Sequence, residues 1–407
     1  MSVHAGSPAF KRINRAMVFG GFSTFALLYC VQPLMPLMAS EFSLTPAESS
    51  LSLSASTAAL ALSLVFSSIL SDRVGRKPMM VTAMLGGALC TIACAFAHNF
   101  PQLLVLRALL GVALGGMPAV AMAYLGEEIE PTSLGLSMGL YIGGSAFGGM
   151  LGRVLTSVIS DYFSWRYALA GMGTAALYAA WEFRRSLPAS QNFRQGQRGM
   201  TALAAGFRQH LSDPGLPWLF ALAFLLMGCF VSLYNYIAYR MLAQPFHWSQ
   251  SGVGLLSSMY LLGIFSSVWA GKLADRLGRR NVLWLVMAVM LAGLLLTLST
   301  SPWLIVPGVG LFTFGFFASH SVASSWVGRR AREPKALASA IYLLFYYLGS
   351  SVLGSFTGAA WSAGGWPGVV GLLGAVLAVS FMIALRLRSL APLGADSPVA
   401  TAAVAAS

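Results

Sequence analysis

Asp72-Arg73-Val74-Gly75-Arg76-Lys77 is a short charged stretch between two long apolar runs, and Asp275-Arg276-Leu277-Gly278-Arg279-Arg280 repeats its pattern 203 positions later. The same offset relates Glu130-Pro131 to Glu333-Pro334, so the repeat extends over most of each half of the chain. Two related sets of apolar runs joined by charged turns predict a duplicated bundle of membrane helices.

The composition indicates a protein that is solvated by lipid. Of the 407 residues, 57% are hydrophobic, only 9% are charged and 43 are glycine, which excludes a soluble globular protein. Crossing the hydrocarbon core takes about 20 apolar residues per helix. Twelve such runs lie near residues 16–39, 50–70, 79–97, 102–125, 133–158, 166–183, 217–240, 251–270, 281–299, 303–327, 336–360 and 367–386. They are too long and too evenly apolar for the alternating strands of a membrane barrel, so we predict an all-α membrane protein with twelve transmembrane helices.

The basic residues predict the orientation of these helices. Alternate loops hold 21 of the 25 Lys and Arg residues, and such loops face the cytoplasm. We therefore expect the chain to lie in the inner membrane, with both termini in the cytoplasm. The net charge of +13 is a topology signal, because the basic residues lie in short loops beside membrane helices and form no patch that would read nucleic acid.

The hydropathy divides the chain into four parts. Residues 1–187 and 216–390 are predicted to form two pseudo-symmetric six-helix bundles, joined by a polar cytoplasmic linker at 188–215. Residues 391–407 contain mainly Ala, Pro and Ser and are expected to be disordered. The first apolar run is too long for a cleaved signal peptide. The four cysteines fall within apolar runs without acidic or histidine partners, so we predict neither a disulfide framework nor a metal site.

The twelve-helix duplicated plan and the loop from Ser71 to Lys77 resemble the major facilitator superfamily. The resemblance implies a conformational-switch motif made of Asp72, Arg73, Gly75 and Arg76 in the first half and of Asp275, Gly278 and Arg279 in the second. In that family the aspartate holds the bundles together by facing the start of helix eleven, which here is Pro334-Lys335. A single chain suffices in this family, so we expect a monomer.

Predicted helix four contains Arg107, followed by glycines, and resembles the family's arginine-bearing motif. An intramembrane arginine either faces a cavity or partner or extends to the membrane interface. Predicted helix five resembles the glycine-rich motif of the family's antiporters through Gly144, Gly148, Gly149 and Gly152. The chain departs from that motif twice, because Gly149 stands in place of its proline and Arg153 in place of its last glycine. These glycines serve either close helix packing or antiport.

The ends of predicted helices one and two resemble drug:proton antiporter-like exporters and the YnfM-like and arabinose-efflux-like members near them. Many multidrug relatives carry a carboxylate inside helix one, whereas all twelve acids here lie at helix ends, in loops or in the tail. A proton would therefore need another carrier. The candidates are His320, which lies deep in predicted helix ten, then Glu48 and Arg107. His320 is alternatively a packing residue bonded to nearby serines.

The family plan implies a substrate path between the bundles. It nominates aromatic and polar residues that otherwise lie in apolar helices: Tyr29, Gln32, Arg107, Asn235, Tyr239, Tyr260, His320, Tyr342 and Tyr346. Each of them is alternatively an interfacial or core residue. Because Arg107, with either Arg153 or Arg240, lies near this path and no acid lies deep in it, we expect a neutral, zwitterionic or anionic solute over a lipophilic cation.

No phosphate-binding loop, metal cluster or nucleophile motif indicates an enzyme, and none indicates a cofactor. The sequence thus predicts a secondary active transporter that exports a small organic solute or drug-like compound in exchange for protons by alternating access. One alternative is a proton-coupled importer or uniporter of the same fold. Another, of a different class, is a membrane sensor that binds without transporting.

Overall fold

The structure is a computed structural model that describes residues 3–193, 200–332 and 335–390. Within those residues the fold is all helical. The α-helices are α1 Pro8–Tyr29, α2 Met35–Phe42, α3 Pro46–Val74, α4 Arg76–Cys94, α5 Phe100–Leu114, α6 Pro118–Glu128, α7 Pro131–Tyr162, α8 Trp165–Ser186, α9 Met200–Leu211, α10 Leu216–Leu242, α11 Gln250–Leu255, α12 Tyr260–Leu277, α13 Arg279–Leu296, α14 Pro302–Arg330 and α15 Lys335–Ser389. Short 3-10 helices at Gln32–Leu34 and Leu256–Met259 interrupt the first and eighth crossings.

The described helices make twelve crossings, which confirms the predicted fold class. Three crossings each consist of two consecutive helices: α1 with α2, α5 with α6, and α11 with α12. Ten stretches are long and apolar enough to span a membrane. The other two crossings are α8, whose hydropathy is lowered by Arg166, Glu182 and the arginines at its end, and the second half of α15, which belongs to one long apolar stretch.

Helix α15 reverses direction at two glycines. Gly364 and Gly365 leave the helical conformation, and Gly365 has a φ of +58°, which an L side chain rarely adopts. The carbonyl of Leu353, before the break, accepts a hydrogen bond from Ser232, while the carbonyl of Leu373, after it, lies 3.9 Å from the sulfur of Cys229. A straight helix would separate these carbonyls by about 30 Å, so the two halves run antiparallel beside α10.

Two helix groups form the molecule, one from α1–α8 and one from α10–α15. The charged turns after α3 and α12, the start of α1 and the end of α15 lie at one end, which we name the basic end. The opposite end, named the far end, carries the turns after α2, α4, α7, α10 and α13. Large apolar side chains such as Leu62, Phe66 and Phe265 remain exposed along the helices, as expected of a surface that contacts lipid.

The two charged turns have matching geometry. Gly75 and Gly278 adopt φ values of +96° and +83°, and a Cβ at either position would meet no atom closer than 3.6 Å. The backbone conformation, and not crowding, is therefore what requires glycine. Arg76 pairs with Asp72 at 2.6 Å and with Glu127 at 2.7 Å, while Arg279 pairs with Asp275 at 2.9 Å. Pro334, the expected partner of the first aspartate across the bundles, lies outside the described residues.

The linker between the helix groups includes α9 and ends at an ion pair. Asp213 accepts hydrogen bonds from the amides of Gly215 and Leu216 and from Arg330 at 2.5 Å. Partial burial raises the pKa of Asp213, but these bonds outweigh it, so that the pKa lies below its ordinary value. This contact fixes the linker to the end of α14. The structure does not describe residues 194–199 of the linker. The tail at 391–407, for which disorder was expected, also lies outside the described residues.

Candidate functional site

A cavity of about 310 Å³ lies between the two helix groups. Its lining begins near the basic end, at Met122, Val327 and Ser339, and reaches deep into the molecule at Tyr29 and Arg153. Val327 and Ser339 are within about one helical turn of the ends of α14 and α15. Its size lies at the lower end of the range of small-molecule sites. The cavity therefore extends from the basic end to the middle of the molecule.

Arg153 lies at the deep end of this cavity, on α7. Its side chain is 2% exposed; Nε donates to Oε1 of Gln32 at 2.6 Å, and Nη1 donates to the carbonyl of Gly149 at 2.6 Å. The guanidinium also lies 4.4 Å from the ring centroid of Tyr29 and 4.9 Å from that of Tyr260. The ring of Tyr234 lies farther away, at 5.8 Å. Within the described residues no carboxylate pairs with it. The cavity thus contains a buried cation that is held by an amide, a carbonyl and three aromatic rings.

His320 lies on the cavity wall closer to the basic end. Its Nδ1 is 2.9 Å from the hydroxyl of Tyr342, and its ring lies 4.8 Å from that of Tyr346. The structure places Tyr29, Tyr260, His320, Tyr342 and Tyr346 together on the lining, as well as Phe230, Phe316 and Phe317, which the sequence did not nominate. This arrangement offers ring faces for stacking and a few hydroxyls for hydrogen bonds.

Gln32 and Asn235 lie beyond the cavity, toward the far end, and join the two helix groups. The amide nitrogen of Gln32 donates to Oδ1 of Asn235 at 2.6 Å and to the carbonyl of Val231 at 3.2 Å. Because Oε1 of Gln32 accepts from Arg153, one side chain connects the cavity cation to the contact between the groups.

Further hydrogen bonds close the far end. The hydroxyl of Tyr239 lies 2.5 Å from that of Ser49 on α3. On the same helix, Ser54 accepts hydrogen bonds from the hydroxyls of Ser351 and Ser355 of α15. The carboxylate of Asp161, at the end of α7, accepts from the backbone amides at the start of α11. The far end is thus sealed by polar contacts, whereas the cavity extends toward the basic end.

Arg107 lies outside the cavity lining, inside the first helix group. It is 1% exposed, and its three guanidinium nitrogens donate to the carbonyls of Ser52, Leu27 and Leu28. The last two carbonyls are at the end of α1, where the helix gives way to a 3-10 turn and leaves acceptors without helical partners. A cation at a helix C-terminus is also favoured by the helix dipole. In this position Arg107 joins α1, α3 and α5.

The glycines of α7 occupy two faces. A Cβ at Gly144, Gly148 or Gly152 would lie between 2.1 and 2.9 Å from the backbone of α1, so these three positions permit close contact of α7 with α1. Gly149 faces the cavity instead, where a Cβ would lie 3.4 Å from Nη1 of Arg153. The two positions at which the chain departs from the antiporter motif therefore contact each other inside the cavity.

Glu48 lies far from the cavity, in the first turn of α3. It is exposed and accepts hydrogen bonds from the amide and hydroxyl of Thr45 at 2.8 Å, which forms a capping box. Arg240 lies at the far end and donates to the carbonyls of Thr297 and Ser299. The sequence named Arg153 as a basic residue near the substrate path, but not as a site residue. The signal that could have found it was its replacement of a small residue in the glycine-rich motif.

The twelve crossings in two helix groups around one cavity define the class of protein. A sequence model described as the Major Facilitator Superfamily matches residues 17–242 and 235–405. The chain belongs to this superfamily, whose members are transporters and not enzymes. The likeness to that family drawn from the charged turns is thereby confirmed.

Individual relatives agree with this assignment. The chain is 49% identical over 386 residues to the inner membrane transport protein YnfM of Escherichia coli (strain K12), covering 95% of this chain and 93% of that protein. It is 44% identical to the uncharacterized MFS-type transporter YybF of Bacillus subtilis (strain 168), over 94% of each. A bacterial homologue of the human lysosomal transporter Spinster, in an inward-facing and unoccupied conformation, has the same fold, with a TM-score of 0.78 at 14% identity over 96% of this chain and 100% of that chain. With its apolar helices, the chain is a multi-pass inner-membrane transporter.

Proposed function

We propose that this protein exports a small neutral, zwitterionic or anionic organic solute across the inner membrane in exchange for protons. The observation that carries the proposal is the cavity between the helix groups, which extends to the basic end while the far end is sealed. The positive-inside rule assigns the basic end to the cytoplasm. The cavity then loads solute from the cytoplasm, and rocking of the two groups about it would release the solute outside.

The proton carrier that we propose is His320. Histidine gains and loses a proton near neutral pH, and this one lines the same cavity as Arg153. Among the described lining residues His320 is the only histidine, and neither Asp nor Glu contributes to the wall, so no other lining side chain is an ordinary proton carrier. Exchange requires that the proton and the solute occupy the cavity in turn, so we propose that His320 contacts the solute in its neutral form and takes up a proton once the solute has left.

The test is proton flux in proteoliposomes that contain the full chain and an internal pH dye. A panel of neutral, anionic and cationic solutes is added in turn, with pH gradients imposed in both directions. We expect solute-triggered proton movement in the wild type and its loss in His320→Ala. The control is His98→Ala, since His98 is exposed at the far end and away from the cavity.

Two outcomes would contradict the proposal. If His320→Ala retains solute-triggered proton movement, His320 does not carry the proton. If solute crosses the membrane in the wild type without moving protons, or moves in the same direction as the protons, the protein is a uniporter or an importer of the same fold.

A further inference from the structure

We infer that Arg153 is the anion-binding group of the cavity and that it takes the carboxylate of an organic acid with an aromatic or otherwise apolar body. This inference rests on the proposed function in one respect, namely that the cavity between the helix groups holds the transported solute.

The first argument is charge. Arg153 is 2% exposed in the membrane-spanning part of the molecule, and no acid among the described lining residues balances it. A buried cation without a counter-ion is unfavourable, so the site favours a ligand that brings a negative charge. Cation contacts with Tyr29 and Tyr260 stabilise the guanidinium only in part. A cationic ligand would meet repulsion from Arg153 at the deep end of the cavity.

The second argument is hydrogen-bond geometry. A guanidinium has five N–H donors in a planar fork that matches a carboxylate, and Arg153 gives one N–H to Gln32 and one to Gly149. A carboxylate is a stronger acceptor than the neutral amide oxygen of Gln32, because its bonds to arginine are charge-assisted on both sides. The ligand can therefore use the free donors and also compete with Gln32 for Nε.

The third argument is the backbone next to Arg153. Gly149 lies one helical turn before Arg153, and its carbonyl holds Nη1, which directs the guanidinium along α7 into the cavity. A Cβ at 149 would lie 3.4 Å from that nitrogen, in van der Waals contact with it. The pair Gly149 and Arg153 thus forms a built feature of the cavity wall.

The remaining wall describes the rest of the ligand. The ring of Tyr260 lies next to the guanidinium, and the rings of Phe230 and Phe317 contact Tyr260. The Tyr260 and Tyr346 hydroxyls make no hydrogen bond within the described residues. The cavity volume of about 310 Å³ is roughly ten times the volume that a water molecule occupies in the liquid. It accommodates one ring and a short chain. An aryl or alkyl carboxylate of this size fits both the charge and the wall.

The test uses three probes with the same body and different head groups: 3-phenylpropanoate, 3-phenylpropanamide and 3-phenylpropylamine. Their binding to the full chain in nanodiscs is measured by titration calorimetry. We expect wild type to bind the carboxylate at least about tenfold more tightly than the amide, and to bind the amine most weakly. Arg153→Gln removes this preference, and Arg153→Lys keeps part of it because the charge remains without the planar fork. Arg166→Gln serves as the control, since Arg166 also donates to backbone carbonyls but lies at the far end.

Equal binding of the carboxylate and the amide to wild type, or no binding of the carboxylate up to its solubility limit, overturns the inference. The inference is also overturned if an Arg153→Gln variant that elutes and melts like wild type still prefers the carboxylate to the same degree. The proposed function fails separately. Proton movement driven by other solutes without a carboxylate preference leaves the export proposal intact, whereas a carboxylate preference without proton movement leaves only the Arg153 assignment.

Discussion

Among the described residues, Arg107 and Arg153 are buried deep in the membrane-spanning region, and their surroundings assign them different roles. Arg107 lies outside the cavity lining, and its three guanidinium nitrogens donate to backbone carbonyls of its own helix group. Arg153 lies on the cavity wall and is held by two acceptors and aromatic rings. The sequence allowed Arg107 to be nominated because it lies in a recognisable motif. It did not reveal which arginine lines the cavity, since that depends on how the helices rotate against each other.

Arg107→Ala is expected to lower the stability of the protein. It removes three buried hydrogen bonds, to the carbonyls of Ser52, Leu27 and Leu28, and a hydrogen bond from a charged donor contributes about 1.5–3 kcal/mol. The melting temperature in detergent should fall markedly, and Arg107→Lys should restore it in part. The control is Arg184→Ala, which removes an exposed arginine of α8. Equal melting temperatures for Arg107→Ala and the control would contradict the role of Arg107 in joining the helices.

Helix α7 combines packing and binding on adjacent faces. Gly144, Gly148 and Gly152 recur every four residues and contact α1, while Gly149 and Arg153, also four residues apart, face the cavity. The helical period predicts that each set shares one face. The sequence therefore indicated the two faces of α7 but not which of them meets α1. In the same way, apolar length predicted the crossings, whereas the pairing of the two halves of α15 beside α10 became visible only in the structure.

Gly148→Ala is expected to disturb the contact between α7 and α1. Its Cβ would lie 2.1 Å from the carbonyl oxygen of Phe22, which is backbone and cannot turn aside. The yield of folded protein and its melting temperature should both fall. Gly143→Ala is the matched control on the same helix, because a Cβ there meets nothing within 4 Å and alanine favours the helix by up to about 1 kcal/mol. If both variants melt like wild type, α7 does not pack on α1 in this way.

At the scale of the whole molecule, the two helix groups contact each other at the far end. A Cβ at Gly254 would lie 2.3 Å from Cβ of Ser157 on α7, and one at Gly358 would lie 2.3 Å from Cβ of Ala47 on α3. These glycines, one in each of two contacts between the groups, allow the far end to close. The repeat in the sequence predicted two groups but not the end at which they meet, because closure depends on contacts between distant residues.

The double variant Gly254→Val with Gly358→Val is expected to separate the helix groups at the far end. In a background without the four native cysteines, a thiol introduced as Ser145→Cys reports on the cavity, which Ser145 lines. A membrane-impermeant reagent added outside should label this thiol faster in the double variant than in the parent, because the far-end seal is weakened. Gly371→Val with Gly374→Val is the control, since neither position has an atom within 4 Å of a Cβ. Unchanged labelling from outside would show that these glycines do not govern closure.

The position of Gln32 has a consequence for both solute binding and the opening of the far end. Its side-chain oxygen accepts a hydrogen bond from Nε of Arg153, while its amide nitrogen donates to Asn235 of the other helix group. Gln32 is in effect a tethered competitive ligand of the proposed anion site. Competition of this kind is reciprocal, so a bound carboxylate weakens the seal to the same extent that the seal weakens carboxylate binding. A change that loosens the seal, such as Gln32→Ala, should therefore raise the affinity for the solute. It should also let the protein open at the far end without bound solute, so that opening no longer depends on solute binding.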